Sequence, residues 1–445
     1  MSHSQNRRHF LKVSAAAGAG FWAAGGVQAQ ESKSPNEKIR FGCVGVGGKG
    51  SSDSADAARS GEVVAICDID SERLDSAAGR FRDAKKFADF REMLSEMGDQ
   101  IDAVTVSTPD HTHAVATAAA LKLGKHCFTQ KPLTRSIWEA RRLGELAKEN
   151  NCVTQMGNQG TAERGVRRAA EIVQAGALGK VKEVHVWTNR PIWPQGVDKP
   201  EPKPVPANVN WELFLGPAPF REYSDAYHPF KWRGWWAFGT GALGDMACHT
   251  FNMAFMALNL RDPISVEAEH SGHNKETYPK SSKIKFEFAE LNGRAPLTMY
   301  WYDGGNLPSM DLLKDIPMGN DERKLASSGS LIVGEEGTLY SPDDYGARYF
   351  IGPEAKFKDY EGPEESIPRS PGHFREFAEG IKGGPAPMSN FPEYSGPLSE
   401  TILLGNLAVW SGEKVEWNAK TLEAKNASDD VKQLIKPTYR EGYSL

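Results

Sequence analysis

The stretch from Ile39 to Asp68 constrains this chain more than any other. A short apolar run, Ile39-Arg40-Phe41-Gly42-Cys43-Val44, leads directly into Gly45-Val46-Gly47-Gly48-Lys49-Gly50. A second run, Val63-Val64-Ala65-Ile66-Cys67, ends on Asp68. The order is strand, G-x-G-x-x-G turn, helix, strand and acidic residue, as a dinucleotide-binding βαβ unit requires. Glycines let the backbone turn tightly and approach a pyrophosphate, and the following helix offers its N-terminal N–H groups to the phosphate charge. A carboxylate at Asp68 is placed to accept from both ribose hydroxyls and to repel a 2′-phosphate. NAD is therefore expected rather than NADP.

The same rhythm continues. Strands are predicted at Val63–Cys67, Asp102–Ser107, His126–Thr129 and Cys152–Met156, with helices at Ser71–Phe81, His113–Leu123 and Ile137–Glu149. Such alternation implies a parallel sheet covered by helices. One more helix is expected over 158–175, then a strand at Val181–Thr188 and a proline-rich loop over 191–206. Runs rich in β-branched and aromatic residues follow at Ile264–His270, Ile284–Phe288, Leu297–Tyr302, Gly329–Val333 and Arg348–Ile351. They suit an open, mostly antiparallel sheet, and helices at His373–Ile381 and Ser399–Trp410 close the chain. The fold class is α/β, with a Rossmann domain over 37–157 and an α+β domain over 158–445.

Composition narrows the partners. Across 445 residues the net charge is −5 and no long basic run follows the N-terminus, which argues against nucleic acid and against an anionic membrane surface. No apolar run in the mature region approaches the roughly 20 residues that span a bilayer. Asn6-Arg7-Arg8-His9-Phe10-Leu11-Lys12 resembles a twin-arginine export motif, with Asn where Ser or Thr is more usual. An Ala/Gly-rich stretch follows, and Val27-Gln28-Ala29 reads as a cleavage site. Residues 1–30 are accordingly expected to be a leader, and the mature protein to be periplasmic. Cys43, Cys67, Cys127, Cys152 and Cys248 match no metal or disulfide spacing and read as packing residues, as suits folding in a reducing cytoplasm before export.

Three later segments could carry chemistry. Thr108-Pro109-Asp110-His111-Thr112-His113 has the look of a metal cluster, but no further ligand at suitable spacing supports it; it reads better as a strand end and helix N-terminus bordering a ligand. Lys131, in Gln130-Lys131-Pro132, follows a buried strand at the sheet edge that carries the glycine loop. A lysine there can polarise a substrate oxygen, although lone lysines are mostly solvated surface residues. Asp245 and His249 stand at i and i+4 and share one helix face. They read either as a catalytic pair or as a helix-terminal charge with a satisfied core histidine. Trp187, Trp193, Trp232, Trp235 and Trp236 cluster around Asn189, Arg190 and Arg233, as sugar-facing rings or as core.

Together these segments resemble one family, the glucose–fructose oxidoreductase and inositol dehydrogenase (Gfo/Idh/MocA) family. The resemblance rests on the Gly45–Gly50 loop, Thr108-Pro109-x-x-x-His113, Lys131-Pro132 and Asp245-x-x-x-His249, and it covers essentially the whole mature chain. It implies a Rossmann domain joined to an open-sheet domain that lines the active site and mediates oligomerisation. It also implies a catalytic lysine at Lys131 and an Asp/His pair at Asp245 and His249. Three departures stand out: Gln130 where relatives carry Glu, Ala247 where many carry Gly, and Asn252 where many carry Asp. Met156-Gly157-Asn158-Gln159-Gly160 is shared with exported members.

The expected NAD contacts are Gly45, Gly47, Gly48, Lys49, Gly50, Asp68, Thr108, Pro109, His111, His113, Gln130, Lys131, Asn158 and Gln159. A carbohydrate is expected against Lys131, Arg190, Trp193, Trp232, Arg233, Trp235, Trp236, Asp245 and His249, with no metal. Lys131 would polarise the oxygen, His249 move its proton, and Asp245 fix the histidine. The expected activity is an exported NAD-dependent oxidoreductase acting on a sugar, glycoside or polyol, as a dimer or tetramer. The alternatives are an NAD-dependent glycosidase that recycles its cofactor and a non-catalytic sugar or dinucleotide sensor.

Overall fold

Strand β1, Ile39–Val44, runs through the middle of a six-stranded parallel sheet, and its residues are nearly all buried. Helices cover both faces of such a sheet, so its strands read as apolar runs rather than as alternation. The structure, a computed structural model, describes residues 38–318, 324–425 and 427–445; the proposed leader lies outside them. The remaining strands are β2 Gly61–Cys67, β3 Lys85–Phe87, β4 Ala103–Val106, β5 His126–Thr129 and β6 Thr154–Met156, in the order β3-β2-β1-β4-β5-β6. The order reverses between β1 and β4, the switch point where parallel sheets bind ligands beyond their carboxyl ends.

Two elements of this domain escape the sequence patterns. β3 is only three residues long, and its two lysines are exposed, so nothing but Phe87 signals it. Helix Phe90–Met97 begins where Asp89 accepts from the Arg91 N–H, an N-cap easily mistaken for a turn.

The second sheet has nine strands: β7 Val181–Trp187, β8 Ser265–His270, β9 Ser282–Phe288, β10 Leu297–Tyr302, β11 Gly329–Gly334, β12 Thr338–Ser341, β13 Phe350–Gly352, β14 Val415–Asn418 and β15 Glu423–Ala424. Their order is β13-β12-β11-β7-β10-β9-β8-β14-β15. β7 and β10 pair in parallel and the other neighbours are antiparallel, so the sheet is mixed but mostly antiparallel. In β9, Ile284, Phe286 and Phe288 are buried between half-exposed Lys283, Lys285 and Glu287, as a strand with one covered face must be. Helix Gly396–Ser411, apolar nearly all round, fills the space behind that face; Gly405 lets Leu243, Phe286 and Ile284 approach it.

The single helix expected over 158–175 is broken into a 3₁₀ turn, Gln159–Ala162, and a helix, Arg164–Gln174. The break falls at Glu163, whose backbone is extended, and a glycine in close contact stands on either side of it. A Cβ on Gly160 would lie 2.7 Å from the Tyr345 carbonyl oxygen, and one on Gly165 would lie 2.3 Å from the carbonyl oxygens of Gly346 and Ala347. The break seats a distant loop against the site. Arg167 anchors the region: buried, it pairs with Glu376 of helix His373–Ile381 and donates to Thr161 O at 3.0 Å. Removing one partner of a buried pair strands the other charge, at a cost of about 3–5 kcal/mol. Glu376→Ala should therefore lower the unfolding free energy in chemical denaturation by about that much; a loss under about 1 kcal/mol would show the pair to be solvated.

Candidate active site

The glycine loop is built by close backbone approach. Gly45 has φ +79°, and a Cβ on it would lie 2.6 Å from Ser107 O; a Cβ on Gly50 would lie 1.9 Å from Gly45 O. Gly48, at φ +52°, caps helix Lys49–Ser60 and has open space beside it. The helix N-terminus thus faces a bare cradle. Asp68, at the end of β2, turns back onto the loop: Oδ2 accepts from Val46 N at 2.9 Å and Gly47 N at 3.2 Å, and Oδ1 accepts from Asp70 N at 3.1 Å. Burial raises its pKa above the usual carboxylate value, with these hydrogen bonds opposing.

From this cradle a cleft of about 580 Å³ runs along the carboxyl ends of the strands. Gly45, Gly47, Gly48, Lys49 and Asp68 line one end; Thr108, Pro109, Gln130, Lys131 and Gln159 line the middle. Arg190, Trp193, Trp232, Arg233, Asp245 and His249 lie along the second domain's wall. The Lys131 ammonium reaches across and donates to Asp245 twice, to Oδ1 and to the backbone oxygen, both at 2.9 Å. Arg233 donates its Nε to the same Oδ1 at 3.2 Å while its guanidinium lies over Trp232, 4.2 Å from the ring centroid. Burial would raise Asp245, but the Lys131 and Arg233 charges hold it at about 2.

His249 departs from expectation. Asp245 is committed to the two cations, and the His249 Nδ1 is buried with no hydrogen-bond partner. Burial and the Lys131 charge hold this histidine down to about 3, so it is neutral at ordinary pH. Its ring meets Tyr345 edge-on, with centroids 4.9 Å apart. The shared helix face predicted an Asp245–His249 contact; the structure turns the carboxylate towards Lys131 instead, because a cation is the better partner for a buried anion.

Other expected contacts lie behind the cleft wall. His111 sits between the Phe214 and Phe238 carbonyls, at 2.7 and 3.2 Å from its ring nitrogens. His113 lies 2.8 Å from both Thr108 O and Pro132 O, bracing the two loops that carry Pro109 and Lys131. Asn158 is fully buried and accepts from Ser389 Oγ. Trp235 donates to Ala226 O at 2.9 Å inside an aromatic cluster that it shares with Trp232, and Trp236 stacks on Tyr278 with centroids 3.7 Å apart. These two are core, where adjacency to Trp232 and Arg233 suggested a sugar surface. Gly50 shapes the loop from beneath rather than lining the cleft. Asp110 is buried and accepts from Thr240 Oγ1 at 2.7 Å, and burial pushes it up to about 7. Among the described residues no cluster of His, Cys, Asp and Glu is arranged to hold a metal.

The cleft also takes residues that no motif announced: Arg73, Phe90, His228, Phe230, Tyr345 and Tyr443. Only proximity in space identifies them, since their segments are scattered from the first domain to the C-terminus. One departure noted in the sequence, Asn252, has a neutral setting. Asn252 donates to Thr161 Oγ1 at 3.0 Å and accepts from the Tyr394 hydroxyl at 2.6 Å, away from the cleft.

Residues 39–158 match the model of an oxidoreductase family with an NAD-binding Rossmann fold, and residues 163–293 match its C-terminal α/β domain. Levoglucosan dehydrogenase of Pseudarthrobacter phenanthrenivorans is 26% identical over 190 residues, 42% of this chain and 40% of that protein. Inositol 2-dehydrogenase of Salmonella typhimurium is 27% identical over 152 residues, 33% of this chain and 45% of that one. The alignments thus span less than half the length of these relatives. The WlbA dehydrogenase of Bordetella pertussis, solved with NADH and UDP-GlcNAcA, shares the fold with a TM-score of 0.59 at 17% identity, over 86% of this chain and 99% of that one. Levoglucosan dehydrogenase, solved with NADH and levoglucosan, gives 0.57 at 18%, over 85% and 99%.

Gly50 sets the cradle's shape, because backbone atoms on the opposite side leave no room for a methyl group. Gly50→Ala should abolish NADH binding, followed by fluorescence titration, at concentrations that saturate the wild-type protein. Unchanged affinity would place the dinucleotide elsewhere.

Proposed function

The chain belongs to the Gfo/Idh/MocA oxidoreductase family, and from that membership we propose that it is an exported NAD-dependent dehydrogenase of a sugar, glycoside or polyol. The cluster of Lys131, Arg233 and Asp245 beside the neutral His249 carries the reading, because it provides both halves of carbinol oxidation at one end of a dinucleotide cleft. NAD would be held by Gly45, Gly47, Gly48, Lys49, Asp68, Thr108, Pro109, Gln130 and Gln159, and when bound it supplies the acceptor for the carbinol hydrogen. The relatives named as levoglucosan and inositol dehydrogenases support a carbohydrate or polyol as the substrate class.

The charges favour an oxygen that becomes anionic. Two cations share one carboxylate, and the surplus positive charge stabilises an alkoxide. Lys131 orients and polarises the hydroxyl, Asp245 and Arg233 keep Lys131 aimed, and the neutral His249 accepts the proton. Trp193 and Trp232 offer faces to sugar C–H surfaces, with Arg190 and Arg233 for hydroxyls. No metal is assigned to this chemistry.

Export rests on the twin-arginine-like segment. That route carries folded proteins, so NAD bound in the cytoplasm would cross with the enzyme and stay on it between turnovers. Cysteines left free throughout the described residues fit a chain that folds where thiols are reduced. A homo-oligomer formed through the open face of the nine-stranded sheet completes the proposal. Fractionation of producing cells should find the mature protein in the periplasm, starting near Gln30; an uncleaved cytoplasmic protein would contradict export.

The activity is tested with NAD and a panel that includes levoglucosan and myo-inositol. On the substrate found, Lys131→Ala should nearly abolish turnover while NADH still binds, and His249→Ala should slow it roughly 10²–10⁴-fold. Full activity in either folded variant would remove that residue from the mechanism.

A further inference from the structure

Beneath the cleft lies a buried carboxylate that no motif signalled. Asp53, in helix Lys49–Ser60, is 1% exposed, and each of its oxygens is occupied. Lys49 Nζ donates to Oδ1; Ser107 Oγ at 2.7 Å and Gln130 Nε2 at 2.9 Å donate to Oδ2. Lys49, Ser107 and Gln130 all line the cleft, so one carboxylate fixes three points of its floor, drawn from the glycine loop, the end of β4 and the end of β5. The Gln130 Oε1 in turn accepts the Lys131 backbone N–H at 3.4 Å. Gly157 makes room for this side chain, since a Cβ there would lie 2.4 Å from Gln130 Nε2 and 2.6 Å from its Cδ.

The arrangement decides which residue can precede Lys131. Ser107 and Lys49 are donors to Asp53, and the third donor must come from position 130. An amide supplies it; a glutamate would bring a second carboxylate to hydrogen-bond distance of the first, and two such groups cannot both ionise without repulsion. We infer that Asp53 is a positioning residue of the dinucleotide site and that Asp53 and Gln130 form a matched pair, in which the buried acid at 53 requires the amide at 130.

The inference rests on the dinucleotide reading of the cleft, and NADH is the probe for both. Binding is measured by fluorescence titration from pH 5.5 to 8 for the wild-type protein, Gln130→Glu, Asp53→Asn and the double variant. Besides Asp53 itself, the ionisable groups near the pair are Lys49, Lys131, the Cys43 thiol and His373, the last on the helix packed against Lys49–Ser60. Burial pushes Cys43 up to about 12 and holds His373 at about 4, so neither titrates in this range.

Gln130→Glu should weaken NADH binding roughly tenfold at pH 8, a coupling usual for contacting residues, and the loss should shrink at pH 5.5, where one carboxyl of the pair takes up a proton. Asp53→Asn/Gln130→Glu, which restores one amide and one acid with the roles exchanged, should recover affinity to within about threefold of wild type and lose the pH dependence. Pure packing damage would give a pH-independent loss that the second change does not repair. If Gln130→Glu fails to fold, a double variant that folds and binds supports the pairing, and one that does not overturns it. Wild-type affinity in Gln130→Glu at every pH, or a double variant no better than the single, also overturns it. Failure of the wild-type protein to bind NADH would instead reject the dinucleotide reading.

Discussion

The ion pair between Lys131 and Asp245 is the contact on which the site depends. It joins the end of β5 in the first domain to helix Gly241–Thr250 in the second, with both side chains largely shielded from water. Such a pair is worth little as a general stabiliser, since desolvating two charges costs much of what their attraction returns. Its value here is geometric. Lys131 has two oxygens of one residue to hold it, Arg233 completes the carboxylate, and the aromatic rings under Arg233 keep that guanidinium in place. With Asp245 held at about 2, its carboxylate stays charged across ordinary pH. The neutral His249 beside it is the remaining group with a free buried nitrogen.

The parts of the site that a sequence encodes by spacing were legible. A glycine loop between two apolar runs has one economical fold, and the acid at the end of the second strand follows from it. Lys131 stands out by its place at a strand end and Asp245 by its i, i+4 spacing to His249, and the fold brings Lys131 and Asp245 within 2.9 Å. What spacing cannot encode is the partner. The i, i+4 relation puts Asp245 and His249 on one helix face, but which neighbour claims the carboxylate depends on a cation from another domain. Adjacent tryptophans mislead in the same way: Trp232 lines the cleft although it packs in one cluster with Trp235, while neither Trp235 nor Trp236, three and four residues on, lines it. Tyr345 reaches His249 only because Gly160 and Gly165, far away in sequence, let its loop settle close.

Two of the three departures from the family pattern share one physical explanation. Gln130 and Asn252 are amides where acids are usual in relatives, and each is engaged in a way that uses both ends of an amide. Gln130 donates to Asp53 and accepts from the Lys131 backbone; Asn252 donates to Thr161 and accepts from Tyr394. A carboxylate in either place would lose the donated bond, and a buried polar atom without a partner is costly. Each amide is thus matched to its own neighbours, and Lys131, Arg233 and Asp245 form the charged cluster at this end of the cleft.

Whether the cleft is an NAD site is the point from which everything else follows, and direct calorimetry addresses it. NADH and NADPH are titrated separately into the purified mature protein after any retained nucleotide has been removed. Asp68 at the mouth of the cradle leads us to expect one NADH per chain, with NADPH bound at least about tenfold more weakly, because a 2′-phosphate there meets the Asp68 carboxylate, whose charge the neighbouring Arg73 offsets only in part. Equal or tighter binding of NADPH, or no binding of either nucleotide, would contradict it.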